Sequence, residues 1–169
     1  MAEVTVELAR PEHRQTLDNL FQLYVHDFSD FMAPGGQIDL QDDGRFPPYP
    51  PLAGYWREPD HEVLLIRVDG ALAGFALVNA RAHSGEPCDF SMAEFFVVRK
   101  YRRSGVGHAA ALQVLAARPG QWDIAVARRN TGALPFWRRV ASAAAGASVD
   151  ELDGNDELWN GWILRFRAS

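Results

Sequence analysis

Val4, Val6 and Leu8 alternate with Thr5 and Glu7, the two-residue period of a strand with one buried face. Past Arg10-Pro11 the period lengthens. Leu17, Leu20, Phe21, Tyr24 and Phe28 recur at three- and four-residue steps, which predicts a helix with one stripe on a core and Pro11 in its first turn. His26, Asp27 and Asp30 lie near its end. From about 33 to 58 the pattern dissolves into "APGGQ" and "RFPPYPPLAGYW", too long a stretch for an idle connection. Its Phe46, Tyr49, Tyr55 and Trp56 favour an ordered loop that lines a ligand, while its prolines are equally compatible with a rigid spacer.

"VLLIRV" and "ALAGFALVNA" flank Asp69-Gly70, a strong short-range hairpin signal. "RAHSGEPCD" interrupts the apolar pattern before "FSMAEFFVV" predicts another strand. A helix is expected from 105 to about 117, stopped by Pro119-Gly120. "QWDIAVA" then reads as a strand and "NTGALPFWRRVASAA" as a helix with Asn130 at its start. Trp162, Leu164 and Phe166 fall on one face of a closing strand. The order is β-α-loop-β-β-β-α-β-α-β, with room for a short strand near 147–150. Neither an internal repeat nor a second domain interrupts it, so residues 1–169 read as one domain.

Composition narrows the function. A length of 169 residues suffices for a full core, and the net charge of −5 argues against a general nucleic-acid binder. Yet Arg99, Lys100, Arg102 and Arg103 fall within five residues, which points to a small anionic ligand rather than a polyanion. Without neighbouring glycines, a solvated basic turn would be the better reading. The single cysteine, Cys88, excludes an intrachain disulfide and a cysteine metal cluster, and reads first as a small, half-buried residue. The histidines at 13, 26, 61, 83 and 108 show no paired ligand spacing, so no metal is expected. No apolar stretch approaches the roughly 20 residues of a membrane span, and no signal-peptide core opens the chain. The expectation is a soluble cytoplasmic protein with no nucleic-acid or membrane partner.

The basic stretch runs into glycine: "RRSGVGHAAALQVL", residues 102–115. A helix start exposes unsatisfied N–H groups and the positive end of the macrodipole, and glycine removes the Cβ that would hold a phosphate away. Strand, basic glycine turn and helix thus make a pyrophosphate cradle. The nucleotide P-loop pattern is absent. Gly105, Gly107 and Ala110 formally meet the dinucleotide fingerprint, but six residues, Arg99 to Ser104, separate them from the strand, and Asp123 begins rather than ends the next one. That match is chance.

The stretch from Val98 through Arg102 to Gly107 resembles the acyl-CoA signature of the GNAT superfamily of N-acetyltransferases, a strand leading into R/Q-x-x-G-x-G/A and a helix. Asn130, Ala133, Phe136 and Trp137 are similar to the family's second element, N-x-x-A-x-x-F-Y, after the next strand. With the preceding hairpin and first helix in order, the resemblance covers nearly the whole chain. It implies an α/β fold with a mixed, mostly antiparallel sheet of six to seven strands and helices on both faces.

The resemblance also implies roles. Backbone N–H groups of Arg103, Ser104, Gly105, Val106, Gly107 and His108 would hold the CoA pyrophosphate, with Arg102 at the R/Q position. Phe96, Val97 and Val98 would pair their backbone with the pantetheine arm where the strands splay. Asn130 matches the pantetheine-binding asparagine, although a plain helix N-cap fits its spacing as well. Phe136 and Trp137 would flank the same arm. Glu94, on the central strand, is the candidate base for the acceptor ammonium, or the residue that positions a water for that task; a carboxylate that only attracts a cation, or pairs with a basic neighbour, is the competing role.

Two positions depart from the family pattern. Trp137 replaces the tyrosine presumed to protonate the departing sulfur, and indole N–H is no useful acid. Tyr24, Tyr49, Tyr55 or water would have to serve, or transfer proceeds without an acid. Arg103 replaces the first glycine of the commonest variant. The activity implied is acetyl transfer from acetyl-CoA to a primary amine of a small cationic molecule, bound by Tyr24, Asp27, Tyr49 and Trp56. Asp27, Asp30, Asp89 and Glu94 favour a cation. The alternative is an acyl-CoA sensor or scaffold. The chain would work as a monomer or homodimer.

Overall fold

The computed structural model describes residues 2–30, 38–155, 157 and 159–169. The first alternating run is β1 (Val4–Leu8), and Pro11 opens a 3₁₀ turn that runs straight into α1 (Arg14–Ser29). The proline-rich stretch is ordered from Pro50 to Trp56 as a second 3₁₀ segment, anchored by buried Leu52 and Tyr55. Part of the preceding stretch, residues 33–37, lies outside the described residues. β2 (Glu62–Val68) and β3 (Ala71–Asn79) are joined by Asp69-Gly70, both at positive φ (48° and 79°), the two-residue hairpin geometry.

β4 (Phe90–Val97) leads through the basic turn into α2 (Val106–Ala116), followed by β5 (Gly120–Ala127), α3 (Ala133–Ala144), β6 (Asp150–Asn155) and β7 (Asn160–Ala168). The seven strands form one sheet in the order β1-β2-β3-β4-β5-β7-β6. All neighbours are antiparallel except β4 and β5. The short strand expected near 147–150 starts later and runs longer, as β6. It carries almost no apolar alternation and is held by its register with β7 from Asp150↔Arg165 to Asn155↔Asn160.

Helices cover both faces. On one, Leu17, Leu20 and Phe21 of α1 pack on Leu65, Phe75 and Leu77. On the other, Val114 and Leu115 of α2 and Val140 of α3 pack on Trp122, Leu164 and Phe166. The face alternation expected for β7 holds, since Trp162, Leu164 and Phe166 all meet this second cluster. Among the described residues, no helix is long and apolar enough to cross a membrane.

Two irregularities shape the centre. Leu77 pairs with Glu94 but Val78 with Met92, so Ala93 is an extra residue and β4 bulges beside Glu94. β4 and β5 pair only at Phe90↔Trp122 and Ser91↔Asp123, then diverge.

Candidate active site

The parting of β4 and β5 opens two adjoining cavities, one of about 540 Å³ beside the basic turn and one of about 700 Å³ beneath the proline segment. Tyr24, Phe28, Phe95, Asn130, Ala133 and Phe136 line both, so a single ligand can run from one into the other.

The first cavity is a cationic cleft. Gly105 caps α2 at φ 86°, and Arg103 also sits at positive φ (61°). The first helical bond runs from Ala109 N–H to the Gly105 carbonyl (2.9 Å), so the N–H groups of the preceding residues emerge at the helix start without an intrahelical partner. Gly107 and His108 line the cleft. Ser104 turns its hydroxyl inward to the Tyr101 carbonyl (2.8 Å), and the Val106 side chain is buried in the core. These exposed N–H groups, the helix dipole and Arg103 and Arg139 along the wall fit the polyanionic end of coenzyme A. Arg139 had no signal in the sequence, because only the α3 register turns it toward the turn.

Arg102 is tied down. Its Nε–H donates to the Val97 carbonyl (2.6 Å), a terminal N–H donates to Asp27, and its guanidinium lies 5.4 Å from the centre of the Phe96 ring. Arg99 donates to the same Asp27 (2.9 Å). Burial alone would raise the Asp27 pKa, but the two arginines outweigh it and hold the carboxyl below its usual range. Asp27 therefore belongs to the basic turn and lines the cleft, not the second cavity; with its charge already matched twice, it is not placed to bind an acceptor.

The backbone of the expected pantetheine strand divides by alternation. Val98 N–H donates to the Ala73 carbonyl (2.8 Å) and Phe96 pairs with Phe75, so both turn their polar groups to β3. Phe95 and Val97 turn theirs toward the gap, where the Val97 carbonyl already accepts Arg102. Phe95, unremarked in the sequence, thus presents the unpaired edge in place of Phe96 and Val98. Asn130 lines both cavities and is not the helix N-cap: Gly132 occupies that position, with no side-chain cap.

The second cavity is aromatic with one deep carboxylate. Glu94 stands at the bulge and accepts a hydrogen bond from the Tyr24 hydroxyl. Burial raises its pKa to about 7, and the Tyr24 bond offsets that only in part. Burial, then the Glu94 charge, raises Tyr24 well above an ordinary phenol, and the same two causes raise Tyr49. Tyr49 stacks on Phe21 (5.1 Å between ring centres) and lines the cavity, as does Tyr55, whose oxygen accepts from buried Asn79 (2.8 Å). Trp56 does not line it. Its ring packs on the α1 cluster beneath the guanidinium of Arg14 (5.7 Å). His83 lines the same cavity, edge-on to Trp159 (4.6 Å), and burial lowers its pKa.

Trp137 is only 7 % exposed and belongs to the core, edge-on to Phe95 (5.2 Å) and Phe136 (4.9 Å). Of the four acidic residues that favoured a cation, Glu94 alone lines the second cavity. Asp30 lies on the cleft, and Asp89 accepts the Gln121 N–H (2.8 Å) at the start of β5.

The sequence profile of the Acetyltransferase (GNAT) family matches residues 17–141. A comparison with curated protein sequences finds no match. Among solved structures, the chain is similar to an acetyltransferase from Thermus thermophilus (15% identity, TM-score 0.64, covering 99% of this chain and 98% of that one). It is also similar to the PaiA N-acetyltransferase from Thermoplasma acidophilum in complex with coenzyme A (11%, TM-score 0.60, 98% and 99%). A third is the ribosomal-protein-S18-alanine N-acetyltransferase from Escherichia coli (13%, TM-score 0.59, 99% and 95%). With three-quarters of its length under the family profile and the parted strands at its centre, the chain belongs to the GNAT family, as an acyltransferase that takes acetyl-CoA as co-substrate.

Proposed function

We propose that the protein acetylates the primary amine of a small cationic molecule, with Glu94 as the base that takes the amine proton. The observation that carries this reading is a single carboxylate at the inner end of an aromatic cavity, beside the bulge where β4 and β5 part. Glu58, Arg57 and Arg81 also line the cavity, but an ammonium that reaches its inner end meets the Glu94 carboxylate among aromatic faces, which attract cations in their own right. Glu94, with a pKa of about 7, is half ionised near neutrality, a useful balance between holding and releasing a proton.

The residues divide the work along the ligand. The N–H groups from Arg103 to His108 and the Arg103 and Arg139 side chains hold the pyrophosphate end. The gap-facing backbone of Phe95 and Val97, with Asn130 and Phe136, orients the pantetheine arm. Tyr24, Tyr49 and Tyr55 wall the acceptor, and Trp137 supports the wall from the core. Placing the two reactants in adjoining cavities supplies much of the rate through proximity. When bound, acetyl-CoA supplies the activated acyl group; the protein positions it and moves protons.

Glu94→Gln keeps the size of the side chain and loses its basicity. Its kcat/KM for amine acetylation is expected to fall by about 10²–10⁴-fold in a CoA-release assay over an amine panel. A carboxylate that only attracts the cation would raise KM with kcat little changed. Wild-type turnover in Glu94→Gln sinks the base assignment.

A further inference from the structure

Trp137 stands where the family resemblance implies a proton donor for the departing sulfur; it packs in the core with one edge on the second cavity, and its indole N–H is no useful acid. The lining of the two cavities points to a replacement. Of the six described residues common to both, Tyr24 alone carries a hydroxyl. Its ring is gripped by Phe21, Phe28, Phe75 and Phe96, with centroid separations between 5.2 and 5.9 Å. The ring is fixed, and rotation of the O–H bond is its one easy motion. That hydroxyl already donates to Glu94.

We propose that Tyr24 is a catalytic residue that gives its hydroxyl proton to the departing CoA sulfur and is reprotonated by Glu94. The inference rests on Glu94 being the base. The amine sheds its ammonium proton to solvent on binding. As the C–N bond forms and the C–S bond breaks, the nitrogen loses its second proton to the Glu94 carboxylate. The sulfur gains one from Tyr24, and the Glu94 carboxyl returns its proton to the Tyr24 oxygen. Both side chains end as they began, and one proton has crossed from nitrogen to sulfur.

The coupling has a physical cause. While Glu94 is ionised, a charge-assisted bond holds the tyrosine hydrogen toward the carboxylate. Neutralising Glu94 weakens that hold and removes two of the four causes that keep the phenol weakly acidic, its neighbour's charge and the bond itself, leaving burial and the nearby Tyr49. Uptake of the amine proton thus frees the Tyr24 hydrogen at the moment the sulfur needs it. Tyr49 and Tyr55 line only the acceptor cavity, not the cleft.

The test is Tyr24→Phe, which preserves the ring packing. Acetyl-CoA affinity by calorimetry is expected to stay within about twofold, while kcat falls at least about tenfold. In mixtures of light and heavy water, the wild-type rate should vary as a curve with deuterium fraction, for two protons in flight, and the variant as a straight line. A purely structural role would lower kcat without removing the curvature. In the protein without acetyl-CoA, the Glu94 carboxyl followed by carbon NMR should titrate at higher pH in Tyr24→Phe, because the bond that favours its ionised form is gone. A variant within about threefold of wild-type kcat, an inventory that stays curved, or an unmoved Glu94 midpoint overturns the relay. Undiminished turnover in Glu94→Gln defeats base and relay together, whereas failure confined to Tyr24→Phe leaves the base standing.

Discussion

Glu94 shows how much one residue's setting decides. A carboxylate on an open strand would be fully ionised at pH 6; here burial raises the pKa to about 7. The groups that face it are Tyr24 from α1 and Tyr49 and Tyr55 from the proline segment, all raised and so uncharged across this range. Half-buried His83, its pKa lowered below that of an ordinary imidazole, is neutral near pH 7. An acid whose folded pKa lies above its unfolded value favours the protonated protein, so its ionisation opposes folding. The cost is absent below about pH 4.5, grows as pH rises toward 7 and is complete above that. Glu94→Gln, neutral throughout, is expected to gain thermal stability over wild type as pH goes from 5 to 8. Melting curves at both values check this, and a difference independent of pH contradicts it.

At the scale of elements, the strand-turn-helix from β4 to α2 is proposed to hold the ligand's phosphates through its backbone. A Cβ on Gly107 would make only ordinary contacts, 3.5 Å from Phe136 and 3.8 Å from Val97, so a larger residue fits the fold. Gly107→Glu would nonetheless face the pyrophosphate with a carboxylate. Acetyl-CoA affinity by calorimetry should fall at least about tenfold, a loss of ~1.4 kcal/mol, with the circular dichroism spectrum unchanged. This turn was legible in the sequence because its physics is local, as were the Asp69-Gly70 hairpin and the alternating strands. What lay hidden depends on pairings across the chain. Asp27 meets Arg99 and Arg102 from more than 70 positions away, so nothing near it in sequence says its charge is already matched. Trp56 and Tyr55 are neighbours in one aromatic run and both pack on the α1 cluster, but only Tyr55 also reaches the cavity, a difference set by the 3₁₀ twist. β6 is nearly all exposed and polar, a strand because β7 is beside it.

Across the whole molecule, the closed end of the parted strands is secured by one buried ion pair. Arg165 of β7 reaches fully buried Asp123 (3.1 Å) and also donates to Ser84 (2.6 Å) and to the carbonyls of Glu86 and Pro87. It thereby fastens the segment carrying His83 across the start of β5. Removing one partner of a buried pair leaves the other charge without compensation. Arg165→Met is expected to destabilise the protein by about 3–5 kcal/mol in urea denaturation, and a loss under about 1 kcal/mol would show the pair is dispensable. Beyond that clamp, β1 to β4 and the β5-β7-β6 group touch as strands through only two residue pairs. The sheet is in effect two sheets sharing a seam, and the edge left open between them is walled by residues of α1 and α3. An open edge is ordinarily a hazard, a template for aggregation. Here the flanking α1 and α3 leave its unmet amides and carbonyls room for a slender thread of a ligand, so the break in the ladder proposed to admit coenzyme A would also screen out the wrong kind of company.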